Sequence, residues 1–187
     1  MKRLMVNIYG GPGCGKSTTA AGVFALLKIH KVNCELVTEY AKDLTWEGRT
    51  QTLEDQLYIL AKQHHKIFRL PDSLEVVVTD SPIIFAGLYS ENPLIKEIAL
   101  QYFMEQNNIN FFLDRVKEYN PIGRSQTEEE AKELDVRNKQ LLEDEAINYR
   151  MVPGNYVGTN EITNTILRLL NKNIVVNMTR INNEILD

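Results

Sequence analysis

The sequence predicts an α/β fold built on a parallel sheet. Three observations carry that expectation. Strand-sized apolar runs alternate with helical stripes along the 187-residue chain. The first strand and first helix are joined by Gly10-Gly11-Pro12-Gly13-Cys14-Gly15-Lys16-Ser17, and a later β-branched run, Glu75-Val76-Val77-Val78-Thr79, ends in Asp80.

Leu4 to Tyr9 reads as a short buried strand, and Ser17 to His30 spaces Ala20, Val23, Phe24 and Leu27 as a helical stripe. The stretch between them matches GxxxxGK[ST], with Gly10, Gly15, Lys16 and Ser17 at the fixed positions. A glycine-rich turn lets successive N–H groups converge on phosphate oxygens, and the new helix adds unsatisfied N–H groups and its positive dipole end. Gly11, Gly13, Cys14, Gly15, Lys16, Ser17 and Thr18 are therefore the expected nucleotide contacts. Lys16 would reach the β and γ phosphates of ATP, and the Ser17 hydroxyl would ligate Mg²⁺. A dinucleotide-binding loop needs GxGxxG, and no start position from Gly10 to Thr18 supplies it.

Composition bounds the rest. A chain of 187 residues, 43% apolar, suffices for one compact domain, residues 1–187. Its 21 basic and 25 acidic residues leave a net charge of −4, without the basic face expected of a tight nucleic-acid binder. Two cysteines, Cys14 and Cys34, are too few for a disulfide framework or a Cys-rich zinc site, which fits a reducing cytoplasm. Cys14 reads as a small residue tolerated within the loop. Met1-Lys2-Arg3 leads straight into a strand, and no apolar run is long enough for a signal peptide or a membrane span.

Cys34 to Thr38 gives a second strand. Ligands in open α/β sheets bind beyond the carboxyl ends of the strands, so Glu39 points at the site. Tyr40 to Arg49 continues as a helix closed by Gly48. Thr52 to Leu70 carries Leu53, Leu57, Leu60, Ile67 and Phe68 at helical intervals, with Thr52 as cap and Pro71 as stop. His64 and His65 diverge on that helix and read as a solvated pair, not a metal pair. Asp80, ending the third strand in the form of a Walker B element, is expected to face Mg²⁺.

An apolar segment from Ile83 to Tyr89 precedes a helix from Leu94 to about Gln106, and Ile109 to Leu113 gives a fourth strand. Ser125-Gln126-Thr127-Glu128 reads as a capping box for a helix with Ala131, Leu134, Leu141 and Leu142 on its buried face and solvated acids on the other. Before it, residues 115–127 form a lid around Pro121 and Gly123, whose Arg115 and Arg124 would neutralise a transferring phosphoryl group. Ala146 to Val152 is a fifth strand, Pro153 to Tyr156 a turn, Asn160 to Leu170 a helix and Ile174 to Met178 an edge strand. Asn171-Lys172-Asn173-Ile174 lacks the aspartate of a guanine-reading NKxD, which discounts guanine specificity.

On these residues the chain resembles the P-loop kinase family that includes the nicotinamide ribonucleoside kinase domain of bacterial NAD-salvage proteins, and similar ATPase-like proteins of tailed phages. The phosphate loop carries the likeness, with Glu39-Tyr40-Ala41-Lys42, Gln56, Thr79-Asp80-Ser81-Pro82 and Gly123-Arg124-Ser125. The resemblance implies a five-stranded parallel sheet in the order 2-3-1-4-5, helices on both faces, and a short lid.

The activity expected is ATP- and Mg²⁺-dependent phosphoryl transfer to a small nucleoside-like or nucleotide acceptor. Lys16, Asp80, Arg115 and Arg124 would position and neutralise charge, and Glu39 would accept the acceptor's proton. Tyr40, Trp46, Arg49, Gln56 and Phe85 would line the acceptor pocket. Ser81-Pro82 after Asp80, in place of an arginine, tilts the acceptor toward a nucleoside. The alternatives are a kinase acting on a modified base or end in DNA, which the acidic balance opposes, and a nucleotide-dependent switch that binds a partner or a lipid head group.

Overall fold

The computed structural model describes residues 2–116, 118–119 and 127–172. The expected Arg124, the Gly123–Ser125 part of the lid and the edge strand at Ile174 to Met178 lie outside the described residues.

Apolar, β-branched runs supply five parallel strands: β1 (Leu4–Tyr9), β2 (Cys34–Val37), β3 (Val76–Thr79), β4 (Asn107–Asp114) and β5 (Arg150–Pro153). They lie in the order β2-β3-β1-β4-β5, the order that the family resemblance implies. β1 is central, flanked by β3 (Asn7 opposite Thr79) and β4 (Tyr9 opposite Phe112). Parallel strands need crossovers, and these are α1 (Lys16–Ile29), the run α2 (Tyr40–Trp46), α3 (Thr50–Glu54) and α4 (Gln56–Phe68), then α5 (Phe85–Leu88) with α6 (Pro93–Met104), and α7 (Glu128–Asp144). A last helix, α8 (Tyr156–Leu169), follows β5.

Strand alternation splits the core. Val6, Ile8, Val76, Val78, Phe111 and Leu113 face one way, onto Val23 and Leu27 of α1 and Ile162 and Ile166 of α8. Tyr9 and Phe112 face the other way, onto residues of α4 to α7 such as Leu60, Ala99, Phe103 and Leu142. Both faces are covered, as an all-parallel sheet requires.

Several boundaries differ from expectation, each for a local reason. The helix expected from Thr52 to Leu70 is two helices, because Asp55 leaves helical geometry (ψ 80°) and caps α4 by accepting from the Tyr58 N–H at 3.0 Å. The capping box lies two residues later than expected: Thr127 accepts from the Glu130 N–H, and the Glu130 carboxylate accepts from the Thr127 N–H. The fifth strand begins at Arg150, not Ala146, because Ala146 and Ile147 finish α7. Ala146 takes φ 51°, its N–H donates to the Glu143 carbonyl and that of Ile147 to Leu142, a Schellman ending. Asn155 accepts from the Val157 and Gly158 N–H groups, so α8 begins at Tyr156, inside the expected turn. His65 is exposed, whereas His64 is half-buried against the Tyr102 ring, 4.2 Å between centroids.

Candidate active site

The site is built on the carboxyl ends of β1, β2 and β3. After Tyr9 the chain turns through the phosphate loop and enters α1 at Gly15, whose φ of 101° favours glycine. No side chain caps α1, and no acid stands in its first turn. Its leading N–H groups are thus left to an anion. The Lys16 ammonium donates to the Gly11 carbonyl at 3.1 Å, folded back along the loop. Ser17 and Thr18 are exposed on the first turn, while Cys14 is only 2% exposed. Burial pushes the Cys14 thiol above its ordinary pKa, against the opposing charge of Lys16.

Two acids leave neighbouring strand ends beside this loop. Asp80 is 2% exposed, and its Oδ1 has no hydrogen-bond partner among the described residues. A buried, unsatisfied carboxylate oxygen is costly, and a divalent cation held jointly with phosphate oxygens would satisfy it. The residues present therefore fit Mg²⁺, with Asp80 and the Ser17 hydroxyl as its protein contacts. Among the described residues no group of three or more His, Cys, Asp or Glu could hold a metal alone, so such an ion would depend on the nucleotide for most of its oxygens.

Glu39 sits at the start of α2, half-buried, and its side chain makes no cap bond. Its pKa is raised, chiefly by burial and further by the Asp80 charge, with the Lys16 ammonium opposing. Lys16, Glu39 and Asp80 thus feel one another's charge. Tyr89 is 50% exposed, and the partial burial of its ring, with the Glu39 charge second, raises its phenol pKa. Tyr89 was not singled out in the sequence, where it read only as the end of an apolar segment.

The expected acceptor residues divide. Phe85 is buried edge-on against Tyr9 at 5.4 Å and near Tyr89 at 6.4 Å, so it lies on the Glu39 side of the site. Tyr40 donates to the Tyr58 hydroxyl at 3.1 Å, and the charge of Arg49 bears on both phenols. Arg49 itself is exposed and paired with Glu47 at 3.4 Å. Trp46 is 71% exposed at the end of α2, and the Gln56 amide donates to the Leu53 carbonyl at 2.7 Å. Tyr156, at the head of α8, is also 71% exposed.

Arg115 is fully engaged at the other side of the loop. Its Nε and Nη2 donate to the Asp135 carboxylate at 3.1 and 2.7 Å, its Nη1 to the Pro12 carbonyl at 2.9 Å, and its Nη2 also to the Ala131 carbonyl at 3.4 Å. The other Asp135 oxygen accepts from the Gly11 N–H. Sequence reasoning assigned the acids of α7 to solvent; Asp135 departs from that, because it lies one helical turn beyond the buried Ala131. Approach here is close: a Cβ on Gly11 would stand 2.5 Å from the Ala131 carbonyl oxygen, and one on Gly13 would stand 3.0 Å from the Tyr119 ring. Glycine at both positions lets α7 and the Arg115 segment close onto the loop.

A cavity of about 350 Å³ opens at the opposite end of the sheet, among Lys2, Arg3, Asp72 and Glu105. Lys2 and Arg3 are already committed to backbone carbonyls there, and the cavity is remote from these groups.

Residues 5–158 match a family model described as an AAA domain. The chain belongs to that family. Among curated proteins none matches. Solved structures similar to this AAA-domain chain include deoxyadenosine kinase from M. mycoides with the products dCMP and dCDP bound, at 15% identity and a TM-score of 0.50, covering 89% of this chain and 98% of that one. The same enzyme with dATP bound gives 16% and 0.49 over 89% and 99%. Shikimate kinase from Bacteroides thetaiotaomicron gives 16% and 0.45 over 90% and 98%. At such identities the likeness is one of fold, a P-loop α/β domain. Among the described residues no helix is long and apolar enough to cross a membrane.

Proposed function

We propose that this chain is an ATP-dependent phosphotransferase that moves the γ-phosphoryl group to a hydroxyl of a small nucleoside-like acceptor. What supports the reading is that Lys16, the half-buried Glu39 and the buried Asp80 follow β1, β2 and β3 at their carboxyl ends, with the charges of Lys16 and Asp80 bearing on Glu39. The uncapped start of α1 and the Lys16 ammonium hold the polyphosphate. Ser17 and Asp80 would hold Mg²⁺, which would supply charge neutralisation to the phosphate chain. The acceptor hydroxyl oxygen bonds to the γ phosphorus, the β–γ bridging P–O bond breaks, the hydroxyl proton passes to Glu39, and ADP leaves. Such transfer asks the protein mainly for positioning and charge, which the site can provide.

A phosphate-bearing acceptor would want a cation on the Glu39 side, and Lys42, whose charge bears on Glu39, stands there beside the paired Arg49 and Lys66. The Ser81-Pro82 pair after Asp80, in place of an arginine, is what favours a nucleoside. The resemblance to nicotinamide ribonucleoside kinases points the same way. The test is a screen of nucleosides, nucleotides and nicotinamide riboside, read as acceptor-dependent ADP release and phosphorylated product. Acceleration by nucleosides supports the reading; ATP hydrolysis that no small acceptor accelerates would overturn it. That second result would favour a nucleotide-dependent switch, for which the tied-down Arg115 is the supporting observation.

A further inference from the structure

We propose that Gln63 is a positioning residue that straps the chain after Glu39 to the chain after Asp80 and so fixes the spacing of the two acids. The inference rests on the phosphotransfer reading for its consequence, though not for its geometry. β2 and β3 are neighbours, and their ladder reaches as far as Val37 opposite Thr79. Past that pair the two chains leave the sheet, carrying Glu39 and Asp80 in parallel. Two carboxylates held near each other repel, and nothing in the ladder stops the chains from splaying.

Gln63 is 4% exposed on the buried side of α4, between Leu60 and Ile67. Its Oε1 accepts from the Tyr40 N–H at 3.1 Å, the amide immediately after Glu39. Its Nε2 donates to the Ser81 carbonyl at 3.2 Å, the residue immediately after Asp80. One side chain therefore bridges both. From the same helix the Lys66 ammonium reaches the Thr38 carbonyl at 3.1 Å, so α4 grips the backbone on either side of Glu39. On the Asp80 side the Ser81 N–H donates to the Thr79 hydroxyl at 3.1 Å, which completes the turn that the strap holds.

The chemistry selects glutamine. A neutral amide offers one acceptor and a donor at the same end, and both are used here. An ionised glutamate could accept from Tyr40 but could not donate to Ser81, and it would add a third negative charge beside the pair. Methionine keeps the length and apolar stem while offering neither bond.

The experiment compares the full chain with Gln63→Met and Gln63→Glu. In Gln63→Met the Tyr40 amide should lose its protection from hydrogen exchange, and the Glu39 to Asp80 backbone separation in a crystal structure should widen. Turnover with the best acceptor should fall roughly 10- to 100-fold, while KM for ATP stays within about twofold, as expected when misplacement alone is the damage. Gln63→Glu should keep Tyr40 protected yet still lose turnover, because only the Ser81 arm breaks. An unchanged separation, or turnover and ATP affinity falling together with the melting temperature, overturns the strap. A wild-type protein that phosphorylates no small acceptor overturns the phosphotransfer reading instead, and the exchange and separation measurements still decide the strap.

Discussion

Asp135→Ala provides the sharpest energetic test of the way α7 is docked on the phosphate loop. The carboxylate accepts three donors: the Gly11 N–H and the Nε and Nη2 of Arg115. The side chains of Arg115 and Asp135 are 12% and 16% exposed, so water screens the pair little. Exposed ion pairs contribute about 0–1 kcal/mol, whereas removing one partner of a buried pair costs about 3–5 kcal/mol. Arg115 would keep its bonds to the Pro12 and Ala131 carbonyls, which lowers the loss to about 3 kcal/mol, since a charged bond is worth about 1.5–3 kcal/mol. In a domain of this length each kcal/mol shifts the melting temperature by about 2–4 °C, so the variant should melt about 6–12 °C lower. Differential scanning calorimetry reads this directly. The difference should persist at high salt, because a pair shielded from solvent is screened weakly at any Debye length. Arg115→Ala and the double variant close a cycle whose coupling should exceed about 1 kcal/mol. A shift under about 2 °C for Asp135→Ala would mean that the pair behaves as a surface contact, and the docking argument would fail.

Glu39→Gln should lower turnover roughly a hundredfold with ATP affinity retained, and the acidic limb of the wild-type rate profile should lie above the ordinary carboxylate range. Its effect on stability has a definite sign. The folded state binds the Glu39 proton more tightly than the unfolded state, so the group's contribution is fully present below the unfolded pKa and is lost as pH rises through the raised folded value. Glu39→Gln should therefore melt higher than wild type near neutral pH, and the gap should close below about pH 4, measured by melts across pH. Asp80→Asn should abolish the Mg²⁺ dependence of ATP binding in titration calorimetry, because it neutralises the buried unpartnered oxygen. Gly11→Ala should cost about 2 kcal/mol through its clash with the Ala131 carbonyl, against about 1 kcal/mol for Gly48→Ala, where φ is 68° and no atom lies within 4 Å; urea melts compare the two. Cys14, buried and with a raised pKa, should resist iodoacetamide in the native protein at pH 8 and react once urea unfolds it, as mass spectrometry would report.

What the sequence made legible follows the range of the forces involved. β1, α1, β2 and β3 announce themselves because apolar periodicity and a glycine-rich turn are local signals, and Lys16, Glu39 and Asp80 follow three of these strands at their carboxyl ends. Glycine marks one helix end directly, whereas the ends of α1 and α8 were read near His30 and Leu170 from where the apolar stripe stops. Gly48 ends α2 with φ 68°, its N–H bonded to the Thr45 carbonyl and that of Arg49 to Leu44. Lys31, Ala146 and Asn171 end α1, α7 and α8 with the same pair of bonds at φ 58°, 51° and 54°, and no sequence rule distinguishes them from residues that continue a helix.

The site's supporting residues were hidden for a different reason. Asp135 meets Gly11 across 124 residues, and Gln63 joins two chains that share no local pattern with it. Both are polar residues on helix faces that turn inward, where the hydrophobic stripe gives no cue about which polar position will be buried. The identities of Gln63 and Asp135 are nonetheless matched to the donors and acceptors that they meet once α4 and α7 dock, which the buried Asn138 of α7, unpartnered among the described residues, is not. Glu39 and Asp80 show the converse, since Asp80 Oδ1 is buried without a partner and burial raises the Glu39 pKa. The residues that brace the loops have their hydrogen-bonding groups met, whereas Asp80 Oδ1 is buried without a partner among the described residues and the half-buried Glu39 holds its proton more tightly than an ordinary carboxylate. That contrast is the physical basis for assigning bracing to Gln63 and Asp135 and chemistry to Glu39 and Asp80.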